Sequence, residues 1–425
     1  MTGSMYAAVS GLKAHMSALN VIGNNVANVN TLGYKTTRYT FNEALYTTQR
    51  SGSDGSNTSG GRNPAQVGFG ASIGTIDLDM STKNYTPTGH NLDTMIDGDG
   101  FFIVGDKMVG SGEARKIATD GSEDEILKSM NLTRLGNFEI DAKGYLVDGN
   151  GSVVWGFVRA AVDPSAQFTI PASTEGGTAE KKALTALTAA DVETLRRQGI
   201  ELMDVTYSSS GTVESATMVG SELGTIRLPV IKTTVKGSAA TENNVTTFTE
   251  TTPREASAEL VWPTSSLQDG AEVGTSGYIK ADGTDTTTAS EVTGQVTYER
   301  VQPDTLSINE KTGALTVTTT DGTYVVGYLA IAKVTNPNGV THVDGRYYKA
   351  LEGAGDIRAT SIGGVVSGVD SAGDTQVLTG GLESSGTDLA TEITNMITVQ
   401  RGYQANTRII TVTDSMLEEL VNMKR

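Results

Sequence analysis

No cysteine occurs in the 425 residues, which excludes disulfides, thiolate nucleophiles and cysteine-ligated metals. A chain of this kind living outside the cell would do so without covalent staples. Histidine is nearly as scarce: His15, His90 and His342 lie far apart, and none falls in an H-E-x-x-H or H-x₃₋₅-H spacing, which argues against zinc. Aromatic residues are 6% and charged residues 19%, the latter against about 25% in an average protein. Basic residues are outnumbered 32 to 49, and the resulting net charge of -17 argues against nucleic acid as a general partner, since phosphate binding needs the opposite field. The first twenty residues lack an apolar block of about 7 to 15, and no stretch of about 18 apolar residues follows anywhere. The expectation is a chain with neither a Sec-type leader nor a membrane insertion, which stays in the cytoplasm or leaves by another route. Glycine, by contrast, is plentiful at 50 residues, and the length exceeds the roughly 100 to 200 residues of one domain. Turn-rich, β-rich modules fit that composition better than a large globular enzyme.

The two ends carry helical periodicity. Met5, Val9, Leu12, Met16 and Leu19, continued by Ile22, Val26 and Val29, recur at steps of three and four, close to a coiled-coil seam. At the other end Leu389, Ile393, Met396, Gln400, Tyr403, Thr407, Ile410, Asp414, Leu417 and Val421 alternate in the same way. A second stripe of Val399, Ile409, Val412, Met416 and Leu420 widens that face, so this helix needs more than one neighbour. The N-terminal segment holds Gly11, Gly23 and many asparagines, each costing up to about 1 kcal/mol inside a helix. It is marginal alone and should be helical only where packing stabilises it, which is how a tail that folds on association behaves. Residues 1 to 50 hold four basic and one acidic residue, and residues 382 to 425 hold four basic and six acidic, so the ends together carry +1 and the middle -18. The ends can crowd together, while the middle repels its like.

Between the ends the period falls to two. Asp97-Gly-Asp99-Gly100 precedes Phe101, Phe102, Ile103 and Val104, and the runs at 138–140, 145–147 and 153–157 read as a meander. Residues 201 to 350 contain 29 threonines among alternating Val and Ile, a further strand signature. One short amphipathic helix is expected around Leu184, Leu187, Val192 and Leu195. Residues 50 to 63 are low in complexity and read as a loop.

The search for a reactive centre returns nothing above background. Asp97-Gly-Asp99-Gly100 fails as a calcium loop, because Phe101 and Met108 stand where the fifth and twelfth ligands belong. No Walker or strand-linked dinucleotide motif occurs, and three scattered histidines support no nucleophile-base pair. The expectation is a non-enzymatic chain without catalytic, cofactor or metal residues.

Three regions carry a resemblance. Ser10-Gly-Leu12, Asn24-Asn25-Val-Ala-Asn28-Val-Asn30-Thr31 and Gly33-Tyr-Lys35 resemble the N-terminal signature of the bacterial flagellar rod and hook proteins. Downstream, Ile96-Asp-Gly98-Asp-Gly100-Phe101-Phe102 and Thr133-Arg-Leu-Gly-Asn-Phe138 stand in that family's order, and Gln400-Arg-Gly-Tyr-Gln404-Ala-Asn406 resembles its C-terminal helix. The size of the middle segment is similar to the hook members rather than the rod members. The resemblance implies an α+β, multidomain chain with paired, coiled-coil-like terminal helices and mainly β inner and outer domains. Residues 1–30 with 386–425 would form the terminal helical assembly domain and 31–80 with 360–385 a connecting region. Residues 81–160 with 300–359 would form an inner β domain, and 161–299 an inserted outer β domain. It also implies export, uncleaved, through the flagellar type III apparatus, and a place outside the cell in a curved, flexible tube that carries torque. Its partners would be further copies of itself and the rod, cap, length-control and hook–filament junction proteins. The expected assembly surface is Met5, Val9, Leu12, Met16, Leu19, Leu389, Ile393, Met396, Tyr403, Ile410, Leu417 and Val421. Rival readings are a distal rod or junction protein of the same class, or a secreted β-rich adhesin or surface protein.

Overall fold

The computed structural model describes residues 2–52, 54, 60–106, 124–161, 165–170, 180–197, 202–242, 245–250, 256–262, 276–279, 285–286, 292–302, 305–319, 322–366 and 368–423. The chain divides into two compact units, Met1–Asn84 with Ser384–Arg425, and Tyr85–Glu383.

In the first unit the two ends of the sequence form helices, Thr2–Ala27 and Leu389–Met423. They run antiparallel, since Gly11 meets Asn406, Gly402 meets His15 and Asn25 meets Glu392. The two glycines explain themselves here: a Cβ on Gly11 would stand 2.8 Å from Asn406 Nδ2, and one on Gly402 2.7 Å from the His15 ring. Each loses helix propensity and gains a close approach of the helices. By that register Thr2 lies level with residue ~415, so about two turns of the longer helix extend past its partner's start. Asp388 opens the C-terminal helix as its cap, accepting bonds from the Ala390 amide at 3.1 Å and the Thr391 hydroxyl at 2.6 Å. Those bonds, the Thr391 hydroxyl foremost, hold its carboxyl below the usual range. After the N-terminal helix the chain turns at Gly33, φ 71°, into an antiparallel hairpin. Thr37–Glu43 pairs with Ala71–Leu78, and Tyr46–Arg50 with Ala65–Gly68. The hairpin crosses the helix so tightly that a Cβ on Gly70 would overlap the Ser10 hydroxyl.

The second unit is built on a 15-stranded antiparallel sheet. Its central strands, Phe101–Gly105, Gly322–Val334 and Val153–Ala161, are flanked by Leu146–Asp148, Gly136–Ile140, Asp93–Asp97 and Gln376–Thr379. The core gathers Phe102, Val104, Phe138, Leu146, Val154, Leu315, Leu329, Ile331 and Val377. The 97–100 turn joins two of these strands, with Gly98 at φ 120° and Gly100 at φ 127°. A Cβ on Gly100 would collide with the Ile331 side chain, which is why glycine stands there.

Two boundaries differ from the sequence reading. Residues 360–383, expected in a connecting region, instead pair with the second unit: Ile357–Ser361 joins Ala330–Val334, and Gln376–Thr379 joins Thr94–Asp97. Val377 and Leu382, on two separate short strands, bury in that unit, a signal too short to read alone. The 161–299 insert is also not one module. Val213–Thr225 pairs with Val153–Ala161 and so belongs to the large sheet. Phe168, Ile170, Leu184, Leu187, Leu195 and Leu202 form a small satellite core beside it, with the short helix at Ala189–Arg197. Within 230–300, strands Val230–Glu242, Val245–Glu250, Ala256–Val261, Ser276–Ile279, Asp285–Thr286 and Gly294–Arg300 make a separate six-stranded sheet.

Candidate assembly surface

The helix pair is closed by small residues. Ala8, Ala14, Ala18, Ile22 and Asn25 are the buried residues of the N-terminal helix, on one face with Gly11. Ala18 and Ile22 cluster with Val399, and Leu19, Val26, Tyr39 and Met396 pack around them. On the C-terminal helix Val399 and Thr413 are buried, while Met396, Tyr403, Asn406 and Ile410 are half-buried on the same face.

The expected seam of the N-terminal helix stands elsewhere. At 100° per residue Met5, Val9, Leu12, Met16 and Leu19 form a stripe about 130° round from the alanine face. Met5 and Met16 are exposed, and Val9, Leu12 and Leu19 half-buried. On the C-terminal helix the expected seam splits. Met396, Tyr403 and Ile410 face the N-terminal helix, whereas Leu389 and Ile393 are exposed. Leu417 and Val421 continue the line of Val399, Tyr403 and Ile410 past the start of the N-terminal helix, and both are exposed. A further stripe, Ile409, Val412, Met416, Leu420 and Met423, is exposed along its whole length. Within one chain these stripes have no covering partner among the described residues.

The hairpin adds to it. Leu45, at 84% exposure, Tyr46, Val67, Phe69 and Ile76 stand on its surface. Sequence reasoning missed both this group and the alanine face, although Ala8, Gly11, Ala14 and Ala18 recur at three- and four-residue steps and could have been found.

The asparagine signature is structural and dense. Asn25, 1% exposed, accepts at Oδ1 from the Thr37 amide at 3.1 Å, the Thr37 hydroxyl at 3.0 Å and the Tyr34 hydroxyl at 3.0 Å. Its Nδ2 donates to the Thr37 carbonyl at 2.8 Å and Glu392 Oε1 at 3.0 Å, which ties helix, turn, hairpin and C-terminal helix at one residue. Burial and the Glu392 charge push the Tyr34 phenol up, against a lowering bond from Thr37. Asn24 donates to the Tyr34 hydroxyl, Asn28 caps back onto the Asn24 carbonyl, and Thr31 donates to Asn28. Asn30 and Gln404 are exposed. Nearby, burial tends to raise the Asp79 carboxyl, but bonds from Lys83 at 2.6 Å and from the Ser81 hydroxyl and amide hold it at about 2.

The remaining signature residues sit in the second unit. Phe102 meets Phe138 edge-on at 5.0 Å, and the Arg134 guanidinium lies 5.5 Å from the Phe101 ring centroid. Desolvation lowers the Arg134 pKa, and the neighbouring Glu383, Asp99 and Tyr348 oppose it. A cavity of about 250 Å³ is lined by Asp106, Ser129, Met130, Trp155 and Lys349 among others. Its Ser129 hydroxyl donates to the Ile126 carbonyl at 2.6 Å.

Residues 5–35 match the family model described as flagella basal body rod protein, and residues 378–423 the one described as flagellar basal body rod FlgEFG protein C-terminal. Both ends of the chain are thus similar to flagellar rod and hook proteins. Among its relatives, the flagellar basal-body rod protein FlgG of Bacillus subtilis is 27% identical over the whole of both chains. The flagellar hook protein FlgE of Borreliella burgdorferi is 25% identical over the whole of both, and that of Rhizobium meliloti 28% identical over 100% of this chain and 99% of that one. The two family models coincide with the helix pair and its turn, so the parts of the chain that they match are the parts that carry its exposed apolar stripes. The fold is α+β, with helical ends and a mainly β body.

Proposed function

We propose that this chain is the structural subunit of the flagellar hook, a helical polymer that carries torque from rod to filament while bending. The observation that supports this best is the division of labour on the terminal helices. Small residues close the pair within one molecule, and Met5, Met16, Leu389, Ile393, Leu417 and Val421 remain outside it. A second copy is the occupant that the family reading supplies, and burying one such Leu or Met contributes about 1.5 to 3 kcal/mol. Val9, Leu12, Leu19, Met396, Tyr403 and Ile410 would extend or buttress the same contact. The chain acts without catalysis in this reading, leaves the cell uncleaved through the flagellar type III apparatus, and meets rod, cap, length-control and junction proteins at the ends of the tube. The large sheet would serve as the inner domain and the six-stranded sheet as the outer one.

The test is polymerisation of the purified chain. Leu12→Asp and Ile393→Asp should each abolish tube formation while the β body keeps its circular dichroism. Normal tubes from both variants would show that the stripes are not the assembly surface. A rod subunit is the second reading, favoured by the full-length match to the Bacillus subtilis rod protein. Deletion separates the two: a complete rod without a hook supports the hook, and a truncated rod supports the alternative.

A further inference from the structure

The six-stranded sheet packs on the large core through Ile231, Leu260 and Trp262, and among the described residues the chain crosses between the two sheets at two points. Val230 lies in register between Val261 on one side and Arg300 on the other. The chain enters the sheet at 228–230, where Leu228 belongs to the large core, and leaves at 300–302, where Val301 does. These crossings sit on adjacent strands, about 4.8 Å apart, and so define a hinge axis rather than a rigid mount. The third residue in that register, Val261, runs into Trp262, whose side chain packs against the large core. The Arg159 guanidinium stands 4.0 Å from the Trp262 ring centroid, and Tyr324 meets the indole edge-on at 6.5 Å. Arg159 is itself aimed, donating to the Thr217 hydroxyl at 2.8 Å and the Val325 carbonyl at 3.4 Å. Beside it Ile231 and Leu260, partners across the ladder, pack onto the large core.

We infer that Trp262 is a latch. Arg159 and Tyr324 hold it closed, and its release lets the six-stranded sheet swing on 228–230 and 300–302 without breaking a hydrogen-bond ladder in either sheet. The strand spacing places Trp262 off the hinge axis, on the far side of Val230 from Arg300, where a modest attraction resists rotation. A cation over an indole shifts such an opening equilibrium roughly 2- to 30-fold.

The lack of cysteine makes the full chain suited to paired spin labels. Ser238→Cys and Ser307→Cys, both exposed, place one label on each sheet for pulsed dipolar measurement. The otherwise native chain should give one narrow distance. Arg159→Met and, independently, Trp262→Leu should each add a second, broader distance, with the open population raised roughly 2- to 30-fold. Arg159→Lys should fall between, since lysine keeps the charge and loses the planar stack. A single unchanged distance in the folded variants overturns the latch, and if one variant fails to fold the other decides. In the polymer the consequence rests on the hook reading: tubes of Arg159→Met should differ in curvature under electron microscopy. Unchanged curvature overturns that consequence, whereas a parent chain that forms no tube counts against the hook reading and leaves the monomer distances to judge the latch.

Discussion

Asn25→Ala tests whether one residue holds the first unit together. The substitution deletes five hydrogen bonds, four to neutral groups of Thr37 and Tyr34 and one to the Glu392 carboxylate. Neutral bonds contribute about 1 kcal/mol each and charged ones about 1.5 to 3, which sums to roughly 6 kcal/mol. The Tyr34 and Thr37 hydroxyls can turn to water, so the expected loss is about 3 to 4 kcal/mol. The chain supplies its own two-channel assay. Helices of 26 and 35 residues dominate circular dichroism from the first unit, and both tryptophans, Trp155 and Trp262, lie in the second. In urea the dichroism transition should move and the fluorescence transition should not. A shift worth less than about 1 kcal/mol, or equal shifts in both channels, would refute the assignment of Asn25 as the joint. Asn25→Asp sharpens the test, because it turns an oxygen toward the Thr37 carbonyl and Glu392; it should be as damaging at neutral pH and partly relieved by acid, where a protonated carboxyl can donate again.

Gly402→Ala places a Cβ 2.7 Å from the His15 ring and should part the helices, lowering helical dichroism and polymer yield together; retention of both would mean the close approach is dispensable. Asp79, held at about 2 against an ordinary 3.8, contributes stability that is present above about pH 4 and lost as pH falls toward 2. Asp79→Asn should therefore flatten the first unit's stability profile in that window and leave the profile above it parallel to the parent's. An unchanged slope between pH 4 and 2 would show that the Lys83 and Ser81 bonds do not couple to folding.

The terminal helices were legible because their spacing survives two glycines, and the meander because Asp-Gly turns punctuate it. The pairing face was not, since a seam search weights large apolar side chains and this pair closes on Ala8, Ala14 and Ala18, with Gly11 and Gly402 admitting Asn406 and His15. The same bias hid the fate of residues 360–383. Three- to five-residue strands such as Gly381–Glu383 carry too few side chains to show a period, and only pairing with Tyr85–Pro87, nearly 300 positions away, fixes them. The division of the insert between two sheets is hidden for a related reason: threonine-rich composition identifies strands but not which sheet each joins. Asn25 reads in sequence as a helix-weakening residue, and its five partners explain the choice only once the chain has folded back on itself.

A joint of that kind also reconciles two demands on the chain ends. A pair closed by alanines buries little area per turn, so the helices gain modestly from each other and much of their apolar surface stays outside the fold. Ordering them by hydrogen bonds at one point fixes register without hiding the stripes that a neighbouring copy would cover. Larger side chains at 8, 14 and 18 would strengthen the isolated pair if they fitted, but they would also push the helices apart at Gly11 and Gly402. The stripes at Leu389, Ile393, Leu417 and Val421 would then turn relative to Met5 and Met16, and a second copy would meet them out of register. On the proposed hook reading, small residues at the pairing face would therefore favour assembly over the stability of one molecule, and the alanine spacing would encode that trade.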